Sequence, residues 1–174
     1  NQRQIELATA IEFLHTATEF SAVNELILQQ LQSQISRVED ISQYLVTSGG
    51  KRVRPLVTLL VAGAFGDQKN QRQIELATAI EFLHTATLLH DDVVDMSELR
   101  RGKATANANW GNASSILVGD FVYSRAFQLI VAVGSLPVMK ILSDTTAIIA
   151  EGEVQQLTEI GNLALNEASY FEVI

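Results

Sequence analysis

Apolar residues recur along this chain at spacings of three and four. Between residues 20 and 47 they fall at Phe20, Val23, Leu26, Ile27, Leu31, Ile35, Val38, Ile41 and Leu45, the stripe that one face of an α-helix presents. Gly49-Gly50 then breaks the pattern. Pro55 suits the first turn of another helix, and the run over 56–65 predicts that this helix is buried and ends at Gly66-Asp67. Ile74, Ala77, Ile80, Leu83 and Leu88 predict a long helix over 71–95. Residues 97–112 are polar and contain Gly and Asn, so a loop or a loosely helical link is expected. An apolar helix follows over 113–133, another runs from Pro137 to about residue 160, and a last one starts at Asn166. No clear run of period-two alternation appears, and no Asn-Gly or Asp-Gly turn sits between candidate strands. The expected fold is all-α, a bundle of long and mostly buried helices.

One segment occurs twice. Residues 1–18, NQRQIELATAIEFLHTAT, return letter for letter at 70–87, and the match stops at Glu19 against Leu88. Solenoid repeats diverge and recur at a steady period. A single identical copy of one helical segment reads instead as an assembly artefact. The chain is therefore divided into a duplicated segment, 1–18, and the remainder, 19–174. Chemistry is assigned to the second copy, which alone continues into an Asp-rich stretch.

Composition narrows the possibilities. With 47% hydrophobic and 18% charged residues among 174, the chain can bury a core and is not disordered. Cysteine is absent, which excludes a disulfide framework, a thiolate metal site and a cysteine nucleophile. Twelve Lys and Arg against 20 Asp and Glu give a net charge of −8, arguing against nucleic acid as a partner. The run over 56–65 is shorter than the roughly 20 residues of a spanning helix, and residues 1–4 carry no apolar signal-type run. No membrane span and a soluble cytoplasmic protein are expected.

The chemistry gathers at residues 84–103. Asp91 and Asp95 are four apart, so they project within about 40° of each other on one helix face. Like charges at that spacing repel by a few tenths of a kcal/mol. A bound Mg²⁺ would relieve this, since it takes oxygen ligands, keeps waters and bridges to phosphates; a solvated acidic helix end is the alternative. Arg100-Arg101-Gly102-Lys103 follows, and Gly49-Gly50-Lys51-Arg52-Val53-Arg54-Pro55 precedes a helix N-terminus. Arginine forks grip phosphate bidentately, and a helix N-terminus favours anions. Each run could be a solubilising patch, yet six of the 12 basic residues lie in these two runs, which favours anion binding. His84 stands seven residues before Asp91 on the same stripe; it could donate to a phosphate or be a satisfied core residue. His90 could support Asp91. Glu151, Glu153 and Gln156 could face the site or solvent.

The motifs GGKRVRP at 49–55, FLHTATLLHDDVVD at 82–95, RRGKATAN at 100–107 and LVGDFVYSRAF at 117–127 resemble the trans-isoprenyl diphosphate synthases, or polyprenyl synthetases, of the long-chain type. The resemblance covers 19–174. It implies a truncated helical bundle of the isoprenoid synthase (class I terpenoid synthase) type. It also implies a prenyltransferase that condenses isopentenyl diphosphate with an allylic prenyl diphosphate to a long-chain all-trans product. By motif, Lys51, Arg54 and His84 would bind the isopentenyl diphosphate, with Arg101. Asp91 and Asp95, with Asp92 a weaker candidate, would hold Mg²⁺ bridging the allylic diphosphate that Arg100 touches. Asp91, Asp95 and Arg100 are thus the expected catalytic residues, and a homodimer serving quinone side chains is implied. In this family bulky residues just before the first Asp block the growing tail. Here Ala86 and Thr87 are small, which predicts a product longer than farnesyl, with Phe121, Phe127 or Leu129 as floors.

There is also a departure. The family carries a second Asp-rich motif and a Lys-Thr pair before it, whereas no Asp follows Asp144 and no Lys or Arg follows Lys140. These 174 residues alone are expected to be inactive. Rival readings are a class I terpene cyclase, which also uses DDxxD but has no need of the two basic runs, and a di-iron carboxylate bundle built on Glu81-x-x-His84 and Glu12-x-x-His15. A non-catalytic synthase subunit is a third, although it would not need intact substrate motifs.

Overall fold

The computed structural model describes residues 2–65, 70–164 and 166–173. They divide into two compact units, Asn1–Val133 and Gly134–Ile174. The first holds α1 (Gln2–Gln30), α2 (Ser36–Thr47), α3 (Val53–Ala64), α4 (Gln71–Val94), a hairpin of β1 (Leu99–Arg100) and β2 (Lys103–Ala104), α5 (Ala106–Trp110) and α6 (Asn112–Val133). The second holds α7 (Leu136–Thr158) and α8 (Glu167–Val173). The all-α expectation stands, with one two-residue hairpin added.

Helix α4 is the axis of the first unit. It packs most extensively on α6, and α1 and α3 also lie against it. Val23 and Ile27 of α1, Leu59 of α3, Phe82 and Leu89 of α4, and Val122 and Ile130 of α6 are almost wholly buried. Each such side chain stabilises the fold by about 1.5–3 kcal/mol. Small residues also fill the core of α4 and α6: Ala77, Ala79, Ala86 and Ala126 are fully buried. Asn70 starts α4 by accepting from the Arg72 amide at 3.1 Å, which satisfies one of the free N–H groups of the first turn.

The apolar pattern differs from the structure in five places. The stripe over 20–47 is two helices, because Ser33 Oγ accepts from the Ile35 amide at 3.1 Å. That local bond competes with helix continuation. In α3 only Pro55 and Leu59 are buried, while Val53, Val57, Leu60, Val61 and Phe65 are exposed; Gly66-Asp67 lies outside the described residues. The 97–112 link contains the hairpin, whose turn Arg101-Gly102 has φ of 54° and 78°. Positive φ at both central residues is what a two-residue hairpin needs, and here an arginine supplies one of them. Finally, among the described residues it is α6, not the 56–65 run, that is long and apolar enough to cross a membrane, with 22 residues and a mean hydropathy of 1.6. By length and composition it could cross a membrane, yet its buried residues, among them Val118, Val122 and Ile130, belong to the core. Helix α7, expected to be buried, holds no buried residue.

Candidate active site

Residues 81–94 of α4 and its C-cap Asp95 carry the site. Glu81, His84, Thr85 and Leu88 line a cavity of about 600 Å³ within the first unit. Lys51, Arg52 and Arg54 reach it from the α2–α3 turn, and Arg100, Arg101 and Lys103 from the hairpin. Its apolar wall includes Ile27, Leu31, Phe82, Leu89 and Val122. Two basic runs some fifty residues apart thus face one space.

Specific contacts fix that meeting. Tyr44 hydroxyl donates to the Ala104 carbonyl at 2.5 Å, and Lys103 Nζ donates to the Thr47 carbonyl at 3.3 Å. The lysine sits on one of the last carbonyls of α2, where a cation is favoured. Arg101 donates to the Gly49 carbonyl. A Cβ on Gly50 would come within 3.0 Å of Arg101 Nη1, so glycine there leaves room for the guanidinium. Arg52 is the N-cap of α3 with φ of 45°, a strained conformation for a side-chain-bearing residue.

The three aspartates divide by environment. Asp92 is 5% exposed and is gripped by Arg100, with Nε at 3.0 and 3.1 Å from its two oxygens and Nη2 at 2.8 Å. Such a bidentate pair is strong and directional, and it commits Asp92 to Arg100. Asn107 Nδ2 donates to the Asp92 carbonyl at 3.2 Å and to the Ser97 carbonyl at 3.1 Å, while Thr105 Oγ1 donates to Ser97 at 2.7 Å. The end of α4 is thereby pinned. The carboxylates of Asp91 and Asp95 form no hydrogen bond or ion pair among the described residues. Burial pushes the Asp91 carboxyl up from its usual range; Arg100 pulls it down, and Asp95 and Asp92 push it further up. Two open carboxylates on successive turns suit a hard cation that draws its other ligands from water or phosphate. Among the described residues no group of three or more His, Asp or Glu gathers to complete a cage. The pair fits as part of a metal site, outside the cavity wall proper.

His84 is neutral at pH 7. Burial, then Arg54, Arg100 and Arg101, lower its pKa to about 4. A neutral imidazole offers one donor and one acceptor, so it would meet a phosphate by hydrogen bond rather than by charge. Burial raises the Glu81 carboxyl while Arg52, Arg54 and Arg101 pull it down. Sequence spacing pointed to Glu81 only as an iron ligand. Its place three residues before His84, hence on the same stripe, was the signal that it shares the site. Ala86 is buried, and Thr87 donates to the His84 carbonyl at 2.9 Å. Neither lines the cavity, and neither do Phe121, Phe127 and Leu129. Glu151, Glu153 and Gln156 are exposed on α7 in the second unit.

A Polyprenyl synthetase family profile matches residues 35–174. The chain belongs to the polyprenyl synthetase family. Octaprenyl diphosphate synthase of Escherichia coli (strain K12) is 50% identical over 159 residues, 91% of this chain and 49% of that protein. A decaprenyl diphosphate synthase from Rhodobacter capsulatus superposes with a TM-score of 0.85 at 46% identity, covering 97% of this chain and 50% of that one. A polyprenyl synthase from Caulobacter crescentus, complexed with calcium and isoprenyl diphosphate, gives a TM-score of 0.84 at 44% identity over 99% of this chain and 50% of that one. The chain spans about half the length of these polyprenyl synthetases. Its helical fold is theirs.

Proposed function

We propose that the protein carrying this chain is a Mg²⁺-dependent trans-polyprenyl diphosphate synthase that joins isopentenyl diphosphate to an allylic diphosphate and makes a long-chain product. One observation carries the reading: Lys51, Arg54, His84 and Arg101 line a single cavity whose remaining wall is largely apolar. A cationic head above an apolar wall suits a diphosphate with a hydrocarbon tail.

In this reading Lys51, Arg54 and Arg101 neutralise the isopentenyl diphosphate, and neutral His84 adds a hydrogen bond. Asp91 and Asp95 would hold the cation, which when bound neutralises the allylic diphosphate as it departs. Arg100, anchored by Asp92, keeps its outer edge toward that group. Loss of diphosphate leaves an allylic cation, the isopentenyl double bond attacks it, and a proton leaves. Preorganised positive charge and exclusion of water are what the protein contributes. Asp92 serves as the holder of Arg100 rather than as a third ligand. The absence of bulk at Ala86 and Thr87 supports a product longer than farnesyl. A homodimer, a cytoplasmic location and a role in quinone side chains follow from the family resemblance alone.

The terpene cyclase reading lacks a use for the second basic run. The di-iron reading rests partly on Glu12, whose side chain lies outside the described residues. It also places iron beside Arg52, Arg54 and Arg101, which repel a cation. The identity of 1–18 with 70–87 is still read as an assembly artefact; an intact mass equal to the full 174 residues would count against that.

The test is condensation of isopentenyl diphosphate with an allylic diphosphate by the full-length protein, with and without Mg²⁺. Metal-dependent formation of products longer than C15 is expected. Residues 1–174 alone are expected not to turn over, because they carry a single Asp-rich segment. Condensation by that piece, or a C15 end product under excess isopentenyl diphosphate, would contradict the reading.

A further inference from the structure

The last turns of α4 are fastened to α6 at successive residues, and one fastening is a histidine with no part in the chemistry above. Ser115 Oγ donates to the Leu89 carbonyl at 3.1 Å. His90 Nε2 lies 3.2 Å from the Ile116 carbonyl and 3.4 Å from Asp120 Oδ1. Both partners are acceptors, which assigns the hydrogen to that nitrogen. The ring rests on Gly119, where any Cβ would overlap it. Glycine inside a helix costs about 0.5–1 kcal/mol relative to alanine. Its place in the middle of α6 has a steric reason in this ring. The residue after His90 is Asp91, and the one after that is pinned by Arg100 and Asn107. The open carboxylate of Asp91 therefore stands between two fixed neighbours.

We propose that His90, seated on Gly119 and tied to Ile116 and Asp120, is a positioning residue that sets the Asp91–Asp95 pair for its divalent cation. The inference rests on the proposed function, in which that pair binds the metal. The physical argument is one of leverage. A carboxylate stands about 6 Å from the helix axis, so a rotation of α4 by about 10° displaces it by about 1 Å. A Mg²⁺ site tolerates less than that, since its oxygen distances are held near 2.0–2.1 Å in octahedral geometry. Hydrogen-bonded supports of metal ligands typically carry about 10–100-fold in affinity.

The test uses the full-length enzyme and the variants His90→Ala, His90→Gln, Gly119→Ala, Asp120→Ala and Asp91→Asn. Mn²⁺ binding in the presence of inorganic pyrophosphate is measured by electron paramagnetic resonance, beside the two Michaelis constants and the thermal midpoint. His90→Ala and Gly119→Ala are expected to weaken Mn²⁺ about tenfold or more. They should raise KM for the allylic diphosphate and leave that for isopentenyl diphosphate nearly unchanged. His90→Gln, whose amide can donate to the same acceptors, should recover most of the loss. Asp120→Ala breaks one exposed arm of the latch and should show a smaller loss in the same direction. Wild-type Mn²⁺ affinity in His90→Ala and Gly119→Ala would overturn the inference, as would no rescue by glutamine or a joint rise of both constants. If Asp91→Asn loses Mn²⁺ and His90→Ala does not, the inference alone fails. If Asp91→Asn binds Mn²⁺ as wild type does, the metal reading fails and takes the inference with it.

Discussion

Residues 1–18 and 70–87 are the same eighteen letters in two environments. Residues 2–18 are helical within α1 and residues 71–87 within α4, where Asn70 is the cap. The likeness ends there. Leu14 is 64% exposed and its counterpart Leu83 is 9% exposed; Ala17 is exposed and Ala86 is fully buried. Thr16 is buried while its twin Thr85 lines the cavity. His84 faces Arg54, Arg100 and Arg101 and has its pKa lowered to about 4. Local sequence chooses helix in both places. Burial and chemistry come from what packs around it, here α6 on one side and the two basic runs on another.

Paired substitutions separate local from tertiary effects. Leu83→Ala is expected to cost about 2–5 kcal/mol, whereas Leu14→Ala should stay within about 0.5 kcal/mol. Urea unfolding reads both, and equal losses would show that the copies are equivalent. Next comes the anchor that follows the second copy only. Arg100→Ala leaves a buried carboxylate unpaired and should cost about 3 kcal/mol at neutral pH. Asp92→Asn should cost less, about 1–2 kcal/mol, because Arg100 is partly exposed and can turn to solvent. An Arg100→Ala protein as stable as the parent would show that the pair contributes little. Then His84→Ala should weaken isopentenyl diphosphate binding by about 10–100-fold, the range for a hydrogen bond to a charged group, while His15→Ala should leave it unchanged.

The smallest effect is the pH dependence. The folded protein holds a proton on His84 less readily than the unfolded chain, whose value is 6.5. Stability should therefore fall as pH drops from about 6.5 toward 4, and His84→Gln should flatten that slope. Glu81 and Asp91, both raised, work in the opposite direction in the carboxylate range, so the difference between variant and parent isolates the histidine. A steeper slope in the variant would contradict the assignment.

Much of the molecule was legible beforehand. Spacings of three and four gave the helices, and the ordered motifs gave the family. Other features needed three dimensions. The hairpin was hidden because an arginine, not asparagine, takes the first positive-φ position. The commitment of Asp92 to Arg100 follows from which face of α4 turns inward at its end, which a string of three aspartates in five residues does not reveal. The exposed side of α3 defeated the apolar run over 56–65, because composition reports what can be buried and not what covers it. His90 drew attention only as a neighbour of Asp91. Its tie to Gly119 and Asp120 crosses from one helix to another.

The central claim is that the cavity beside the second copy is where isopentenyl diphosphate binds. Calorimetric titration of that ligand into the full-length protein and its His84→Ala, Arg101→Ala and His15→Ala variants tests it most directly. One site per chain is expected, weakened at least about tenfold by the first two changes and untouched by the third. Unchanged binding in His84→Ala and Arg101→Ala, or an equal loss in His15→Ala, would contradict it.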